Sequence, residues 1–244
     1  MTVSSAARAE TIHHDIQVTL HPEHAGIAVI DQLQLPLNSG SAVFSLRNSL
    51  TVEVRGAELE MLESSTDGRV RHYRINRLPA DGKVQLVYQG NIASEGTKGI
   101  FNMPELLLNQ DGVYLDGASA WVPRFKRYPL FTFELQVEAP SGWEIISQGK
   151  RESIDGKYRF DMPQLQDDIY LLGAAYRRFS IDHEGIEIAA YLLQDDAELA
   201  DRYLQASAEY LRVYSDWIGP YPYAKFAIVE NRWPVSYTHL TLPT

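Results

Sequence analysis

The chain has no cysteine among its 244 residues, which excludes disulfides, catalytic thiolates and thiolate metal ligands. Basic side chains are in the minority, with 22 lysines and arginines against 32 acidic residues and a formal charge of −10 at pH 7. This balance predicts no nucleic-acid partner. No stretch approaches the roughly 18 apolar residues of a membrane-spanning helix, and residues 1–15 lack the apolar core of a signal peptide. We therefore expect a cytoplasmic protein without a membrane partner.

The motifs of several enzyme classes are also missing from the sequence. It contains no G-x-S-x-G elbow, no phosphate-binding loop and no dinucleotide fingerprint. H-E-x-x-H, through which one helix supplies two zinc ligands and a general base, does not occur either. We therefore expect no catalytic residue, no metal ligand and no cofactor in this chain itself.

Strand patterns fill the first three quarters of the chain. Residues 15–20 and 130–138 alternate between apolar and polar side chains, which is typical of strands with one buried face. Turn sequences containing glycine separate many of the predicted strands. Further strands are predicted within residues 26–35, 42–46, 51–60, 70–75, 83–90, 142–149, 157–162 and 169–176. So many short strands predict a mainly β fold of antiparallel sheets packed as a sandwich or saddle.

The pattern changes near His183–Gly185, where we place a domain boundary between residues 1–184 and residues 185–234. A helix is predicted over residues 195–218, with Asp195 and Glu198 capping its start and Gly219 ending it. The segment KFAIVE after it predicts a fully covered strand, so this second part reads as the opening β-α-β unit of another domain. Three- and four-residue spacing predicts one apolar helix face formed by Leu199, Tyr203, Ala206, Tyr210, Val213 and Trp217.

The histidines offer little zinc chemistry. His21 and His24 lie in the segment HPEH, where Pro22 prevents the helical spacing of a zinc site, and the sequence nominates no third ligand. A solvated turn is the favoured interpretation. His13 and His14 should lie on opposite faces of a strand and cannot readily share one ion.

The segment GVYLDGASAWVPRF, residues 112–125, is the most distinctive polar and aromatic stretch. Tyr114, Asp116, Trp121 and Arg124 could line a pocket. The competing interpretation is a core tryptophan beside a surface aspartate. For the carboxylate pairs Asp167–Asp168 and Asp195–Asp196, capping or solvation is favoured over acid–base work.

Three segments resemble the aminopeptidase N-type zinc metallopeptidases, also called gluzincin aminopeptidases. These are residues 13–36, the region from YLDGASAWVPRF to the turn PSGW, and the block ADRYLQASAEYLRVYSDWIGPYPYAKFAIVEN. The resemblance implies a saddle-like β domain followed by the start of a thermolysin-like domain, with zinc and a peptide substrate in the full-length protein. It also implies that the β domain donates a carboxylate to the substrate α-ammonium, and Asp116 is the nearest candidate for substrate binding.

The last ten residues, VSYTHLTLPT, resemble the in-frame translation of a sequencing-library adapter. The family has a glycine-rich loop at this point. Within this chain we therefore expect only the residues up to Trp233 to come from the natural gene, and residues 235–244 to be an artefact. The alternative is a real terminal strand, because Tyr, Thr and Leu suit strands.

We therefore expect an inactive, truncated fragment of a zinc aminopeptidase that aggregates or has mobile C-terminal residues. Two other interpretations remain open. The chain could be a non-catalytic β-sandwich binding module using Tyr114 and Trp121, or a scaffold from a lineage that lost the zinc motif.

Overall fold

The computed structural model describes residues 11–37, 40–92 and 107–231. Most of the loop between residues 92 and 112, Trp233 and the tail at 235–244 lie outside these ranges. The prediction that the tail is an artefact therefore lies outside the described residues. No helix in the described ranges is both long enough and apolar enough to cross a bilayer. Within the described ranges, one long helix, named α1, spans Ala197–Ile218, and two short 3-10 helices span Pro22–His24 and Gly117–Ser119.

The strands of the described ranges are numbered in chain order. They are β1 Ile12–His21, β2 Gly26–Gln34, β3 Ala42–Arg47, β4 Leu50–Arg55, β5 Glu58–Ser64, β6 Val70–Asn76, β7 Lys83–Asn91, β8 Leu107–Asn109, β9 Gly112–Leu115, β10 Phe131–Glu138, β11 Glu144–Ile146, β12 Lys150–Ile154, β13 Lys157–Gln166, β14 Leu171–Ala174, β15 Arg177–His183, β16 Ile186–Leu192 and β17 Lys225–Val229.

These strands form four sheets, which confirms the predicted mainly β class. The largest sheet has seven strands in the order β12-β13-β10-β1-β2-β7-β4. A four-stranded sheet, β11-β14-β9-β8, and a three-stranded sheet, β3-β6-β5, contribute to the same apolar core. The fourth sheet, β15-β16-β17, carries α1 and has a core of its own.

Strands β1 and β10 confirm the predicted alternation, since their apolar positions are buried and the intervening ones are more exposed. Their pairing departs from the antiparallel expectation. The two strands run parallel, with Ile12 opposite Phe131 and Val18 opposite Val137. Residues far apart in sequence pair here because the chain passes through the smaller sheets before it returns in the same direction. Sequence alternation specifies a buried face but not the direction of a neighbouring strand.

A polar pair is buried in the large sheet. His14 and Asp31 are 1% and 0% exposed, and Nδ1 of His14 lies 2.8 Å from Oδ2 of Asp31. The hydroxyl of Tyr88 is buried nearby without a hydrogen-bond partner in the described residues. Burial, reinforced by the charge of Asp31, raises the pKa of Tyr88 well above its ordinary value. His13 faces the other side of β1 and contacts Thr132, so the predicted opposition of His13 and His14 is confirmed.

The N-cap of helix α1 lies one residue later than predicted. Asp196, and not Asp195, is the N-cap, and its Oδ1 accepts a hydrogen bond of 2.8 Å from the backbone N–H of Leu199. Glu198 lies in the first turn, where its charge is favourable at the positive end of the helix. Gly219 caps the C-terminus as predicted.

The buried face of α1 differs from the predicted one. Ala200, Leu204, Ser207 and Leu211 are buried, and they pack with Ile188, Ala190 and Leu192 of β16. Each buried helix residue follows a predicted one by a single position, which rotates the face by about 100°. The predicted face is mostly exposed, and Tyr210 and Trp217 retain 63% and 76% of their accessible surface. The helix therefore has one buried face and, beside it, a row of largely exposed aromatic residues that includes Tyr203, Tyr210 and Trp217.

Removing the exposed aromatic residues of α1 should reduce self-association. Burying a large apolar side chain contributes about 1.5–3 kcal/mol, so contiguous exposed aromatics favour contacts between molecules. We expect the Tyr210→Ser, Trp217→Ser double variant to shift the sedimentation profile toward monomer relative to the parent chain. Gln205→Ser, an exposed substitution on the same helix, should leave the profile unchanged. Equal self-association of the double variant and the parent would show that the exposed aromatic face of α1 does not mediate contacts between molecules.

Strands β16 and β17 pair in parallel and are connected by α1, which confirms the predicted β-α-β unit. β17 is half-buried along its length, in contrast to the expected fully covered strand. Its place at the end of the β15-β16-β17 sheet explains the difference, because β16 is its one strand neighbour among the described residues. The predicted boundary near His183–Gly185 falls in the turn between β15 and β16. The division into domains stays a prediction.

Lys225 connects the β17 region to the rest of the fold. Its ammonium donates a hydrogen bond of 2.5 Å to the carbonyl oxygen of Ser147 and lies 5.0 Å from the ring centroid of Phe160. Burial lowers its pKa from 10.5 to about 8, opposed by Glu187 and reinforced by Arg151 and Arg178. A small apolar cluster that includes Ile146, Ala189 and Tyr191 packs between the two regions.

Candidate functional site

Asp116 lies between β9 and the short helix Gly117–Ser119, where it serves as the N-cap. Its Oδ1 accepts a hydrogen bond of 3.2 Å from the backbone N–H of Ser119. The hydroxyl of Ser119 in turn lies 3.0 Å from the backbone N–H of Asp116, which completes a capping box. One carboxylate oxygen of Asp116 therefore has a local structural role. Its predicted binding of a substrate ammonium stays a prediction.

The four residues of the predicted pocket do not share one cavity. Trp121 is 1% exposed, and its Nε1–H donates a hydrogen bond of 3.1 Å to the carbonyl oxygen of Ile169. Asp116, Trp121 and Arg124 line a cavity of about 10 Å³, which is about the space of one water molecule. Tyr114 lines a different and larger cleft. The interpretation of Trp121 as a core residue beside a more exposed aspartate is the one that the geometry favours.

Asp168 holds the same turn from the opposite side. Its carboxylate accepts hydrogen bonds from the backbone N–H groups of Gly117 and Ile169, at 2.6 and 2.7 Å. Burial raises the pKa of Asp168, opposed by these two hydrogen bonds, and the nearby charge of Asp116 raises it further. A side chain at position 117 would place its Cβ 2.6 Å from this carboxylate, so glycine is needed there. The capping interpretation of Asp168 is confirmed.

A larger cleft lies where β9 and β14 approach the end of β17. We name it the β9–β17 cleft and define it by Asp111, Tyr114, Tyr176 and Glu230. Its volume is about 130 Å³. The Tyr176 hydroxyl donates a hydrogen bond of 3.1 Å to the carbonyl oxygen of Glu230, and the Glu230 carboxylate accepts one of 2.6 Å from the N–H of Leu193. Burial raises the pKa of Tyr114, with Asp116 as the next largest cause.

The charge of the β9–β17 cleft favours cations. Asp111 and Glu230 are acidic, and no lysine, arginine or histidine is among the described residues that line the cleft. Carboxylates flanked by aromatic hydroxyls can accept hydrogen bonds from an ammonium group and offset its charge. The cleft is therefore a better candidate for binding an amine than the small cavity beside Asp116.

The residues present do not fit a catalytic zinc site. Within the described ranges, one group of three side chains could hold a metal, and it consists of His21, Glu23 and His24 in the turn after β1. It lies in a surface turn, whereas the zinc peptidase motif places two histidines and a general base on one helix. We therefore derive no catalytic step through a metal from this chain.

Comparison with solved structures identifies the fold. The chain matches yeast LTA4 hydrolase in complex with bestatin with a TM-score of 0.65 and 15% identity, over 90% of this chain and 37% of that one. It matches an M1 zinc metallopeptidase from Deinococcus radiodurans, solved as a mutant bound to a Tyr-Ser-Ala substrate, with a TM-score of 0.63 and 16% identity, over 90% and 56%. An aminopeptidase N family protein from Idiomarina loihiensis gives 0.58 and 15%, over 89% and 38%.

The chain has the fold of the corresponding part of these three proteins. It spans between 37% and 56% of the length of these three proteins. No family model matches the sequence, and no curated protein matches it either. The fold match supports the resemblance seen in the sequence.

Sequence reasoning did not anticipate the β9–β17 cleft. Asp111 and Tyr176 each lie next to a short strand and belong to no motif. Glu230 belongs only to the last of the three resembling segments. A strand that ends in a carboxylate is a weak signal by itself. What brings these residues together is the packing of β17 beside β9 and β14, which no local pattern encodes.

Proposed function

We propose that this chain is the N-terminal β domain and the opening β-α-β unit of a zinc-dependent aminopeptidase. The observation that carries the proposal is the fold match, which covers 90% of this chain in proteins described as zinc metallopeptidases. One such structure holds a tripeptide substrate and another an amino acid. The zinc of the full-length protein would be held by residues outside this chain, where it would supply Lewis-acid chemistry for peptide hydrolysis.

The part of this chain in that function is substrate binding. An aminopeptidase must recognise the positive charge of a free N-terminus, and the β9–β17 cleft presents acidic and aromatic side chains without a basic one among its described residues. Asp116 remains the candidate from the sequence resemblance, although one of its carboxylate oxygens already caps a helix. The chain itself would release no amino acid, because its sequence holds no H-E-x-x-H.

The proposal is tested by comparing two proteins. The 244-residue chain should release no amino acid from aminoacyl chromogenic substrates, with or without added zinc. A version extended with the downstream sequence of the same gene should release them, and a chelator should abolish that activity. Chelator-sensitive hydrolysis by the 244-residue chain alone would overturn the proposal, and so would an extended protein that is folded and zinc-loaded yet inactive on every N-terminal residue.

The alternative function is a non-catalytic binding module, and one observation weighs against the version in which Tyr114 and Trp121 contact the ligand. That hypothesis relied on Tyr114 and Trp121 as ligand contacts. Trp121 is buried, and its indole N–H is already bonded to Ile169. It cannot contact a ligand without leaving the core.

A further inference from the structure

We propose that the turn between β1 and β2 binds a divalent transition-metal ion through His21, Glu23 and His24. One ligand atom from each of the three side chains lies within 4.8 Å of the other two. The Oε1 atom of Glu23 is 3.1 Å from Nδ1 of His24 and 3.7 Å from Nδ1 of His21. Two imidazoles and one carboxylate therefore converge on one point at the protein surface.

The backbone fixes the spacing of these ligands. Glu23 and His24 lie in the 3-10 helix Pro22–His24, and His21 precedes it as the N-cap. The helix ends at Ala25, which has the left-handed conformation with φ of 53°. The carbonyl oxygen of His24 accepts a hydrogen bond of 2.5 Å from the side-chain amide of Asn91 on β7. The N–H of Ile92 donates to the carbonyl oxygen of Ala25 at 2.7 Å. The turn is thus held by neighbouring strands and does not depend on an ion for its shape.

Gly26 leaves the space that the ring of His24 occupies. A Cβ at position 26 would lie 2.6 Å from both Cδ2 and Nε2 of that ring. The ring is stacked on the ring of His21, with centroids 5.3 Å apart and planes inclined by 16°. A side chain at residue 26 would therefore displace the ring of His24 from this stacked position.

The donor set determines which ions fit. Imidazole nitrogen and carboxylate oxygen suit Zn²⁺, Co²⁺, Ni²⁺ and Cu²⁺, whereas Mg²⁺ and Ca²⁺ prefer sites made of oxygen alone. Bonds of 2.0–2.1 Å in a tetrahedron place ligand atoms ~3.3 Å apart. Small side-chain rotations reach this separation, because the three side chains are 40%, 59% and 61% exposed and have room to move. Solvent would supply the remaining ligand.

A titration of the tag-free chain tests the proposal. Zn²⁺ measured by calorimetry and Co²⁺ measured by its visible absorption should each bind with one ion per chain. His21→Gln, Glu23→Gln and His24→Gln should each weaken binding by ~10-fold or more, since even indirect supports of a metal contribute that much. His72→Gln, which removes a histidine from another strand, should bind as the parent does. Mg²⁺ should give no comparable signal.

A second variant separates ligand geometry from ligand identity. Gly26→Ala keeps all three ligands but displaces the His24 ring, so it should also weaken Zn²⁺ binding. The circular dichroism spectrum and the melting temperature in EDTA should match those of the parent for each variant, which shows that the fold is intact. Zn²⁺ affinity that is unchanged in both His21→Gln and His24→Gln, or binding that is undetectable below millimolar Zn²⁺ in the parent, would overturn the proposal.

Discussion

Replacing Asp31 with alanine should lower the free energy of unfolding by about 3 kcal/mol or more. Asp31 and His14 lie completely inside the large sheet, with 2.8 Å between Oδ2 and Nδ1. The ring of His14 also packs edge-on against Phe131 at a centroid distance of 5.0 Å, so no water can easily replace the carboxylate. The variant would leave a buried imidazole without its partner, and that desolvated group accounts for most of the cost.

Urea denaturation followed by tryptophan fluorescence measures this effect. Gln32→Ala is the matched control, because Gln32 is the next residue on β2 and is exposed on the opposite face. It should change stability by no more than about 0.5 kcal/mol. Replacing both partners with leucine should cost less than Asp31→Ala alone, since an apolar pair leaves no polar group unsatisfied. A loss below about 1 kcal/mol in Asp31→Ala would contradict this account of the buried pair.

Replacing Lys225 with methionine should change how stability depends on pH. Burial lowers the pKa of Lys225 from 10.5 to about 8 in the folded chain. Between these two values the unfolded chain holds the proton and the folded chain does not, so stability rises as the pH rises through this window. The cost of the buried charge is fully present below pH 8 and disappears above 10.5. A difference of 2.5 between the two pKa values corresponds to about 3 kcal/mol.

The measurement is the difference in unfolding free energy between Lys225→Met and the parent at several pH values from 7.5 to 10.5. That difference should fall by up to about 3 kcal/mol across the range, because only the parent gains stability. Comparing the two proteins at each pH cancels the contribution that the tyrosines and the other lysines make to the free energy of unfolding. Lys157→Met, at an exposed position on β13, is the matched control for the loss of a lysine side chain. A constant difference for Lys225→Met would mean that its ammonium is not buried in solution.

Much of the fold could be predicted from the sequence because alternation reports burial directly. Strands β1 and β10 bury the side chains that their patterns indicate. The same rule could have found the buried pair. His14 and Asp31 each occupy an apolar phase position of an alternating strand, and two polar residues in that phase on predicted neighbouring strands are a signal of a buried interaction.

Other features depended on packing that the local sequence does not encode. The predicted apolar face of α1 lies one residue away from the buried face. The prediction counted tyrosine and tryptophan as apolar, although Tyr210 and Trp217 are largely exposed. The N-cap was predicted at Asp195 and lies at Asp196, because either of the two adjacent aspartates could cap the helix. Asp116 was singled out by its position in a resembling segment. Its hydrogen bond to Ser119 depends on the local turn and could not be read from that resemblance.

We propose that this chain belongs to a longer zinc aminopeptidase. Determining the gene sequence of the source beyond the codon for Trp233 tests it most directly. The account predicts an open frame that continues into a glycine-rich loop and then an H-E-x-x-H helix, in place of the segment VSYTHLTLPT. A gene from an independent clone that ends after Thr244, or a continuing frame without that zinc motif, would contradict it.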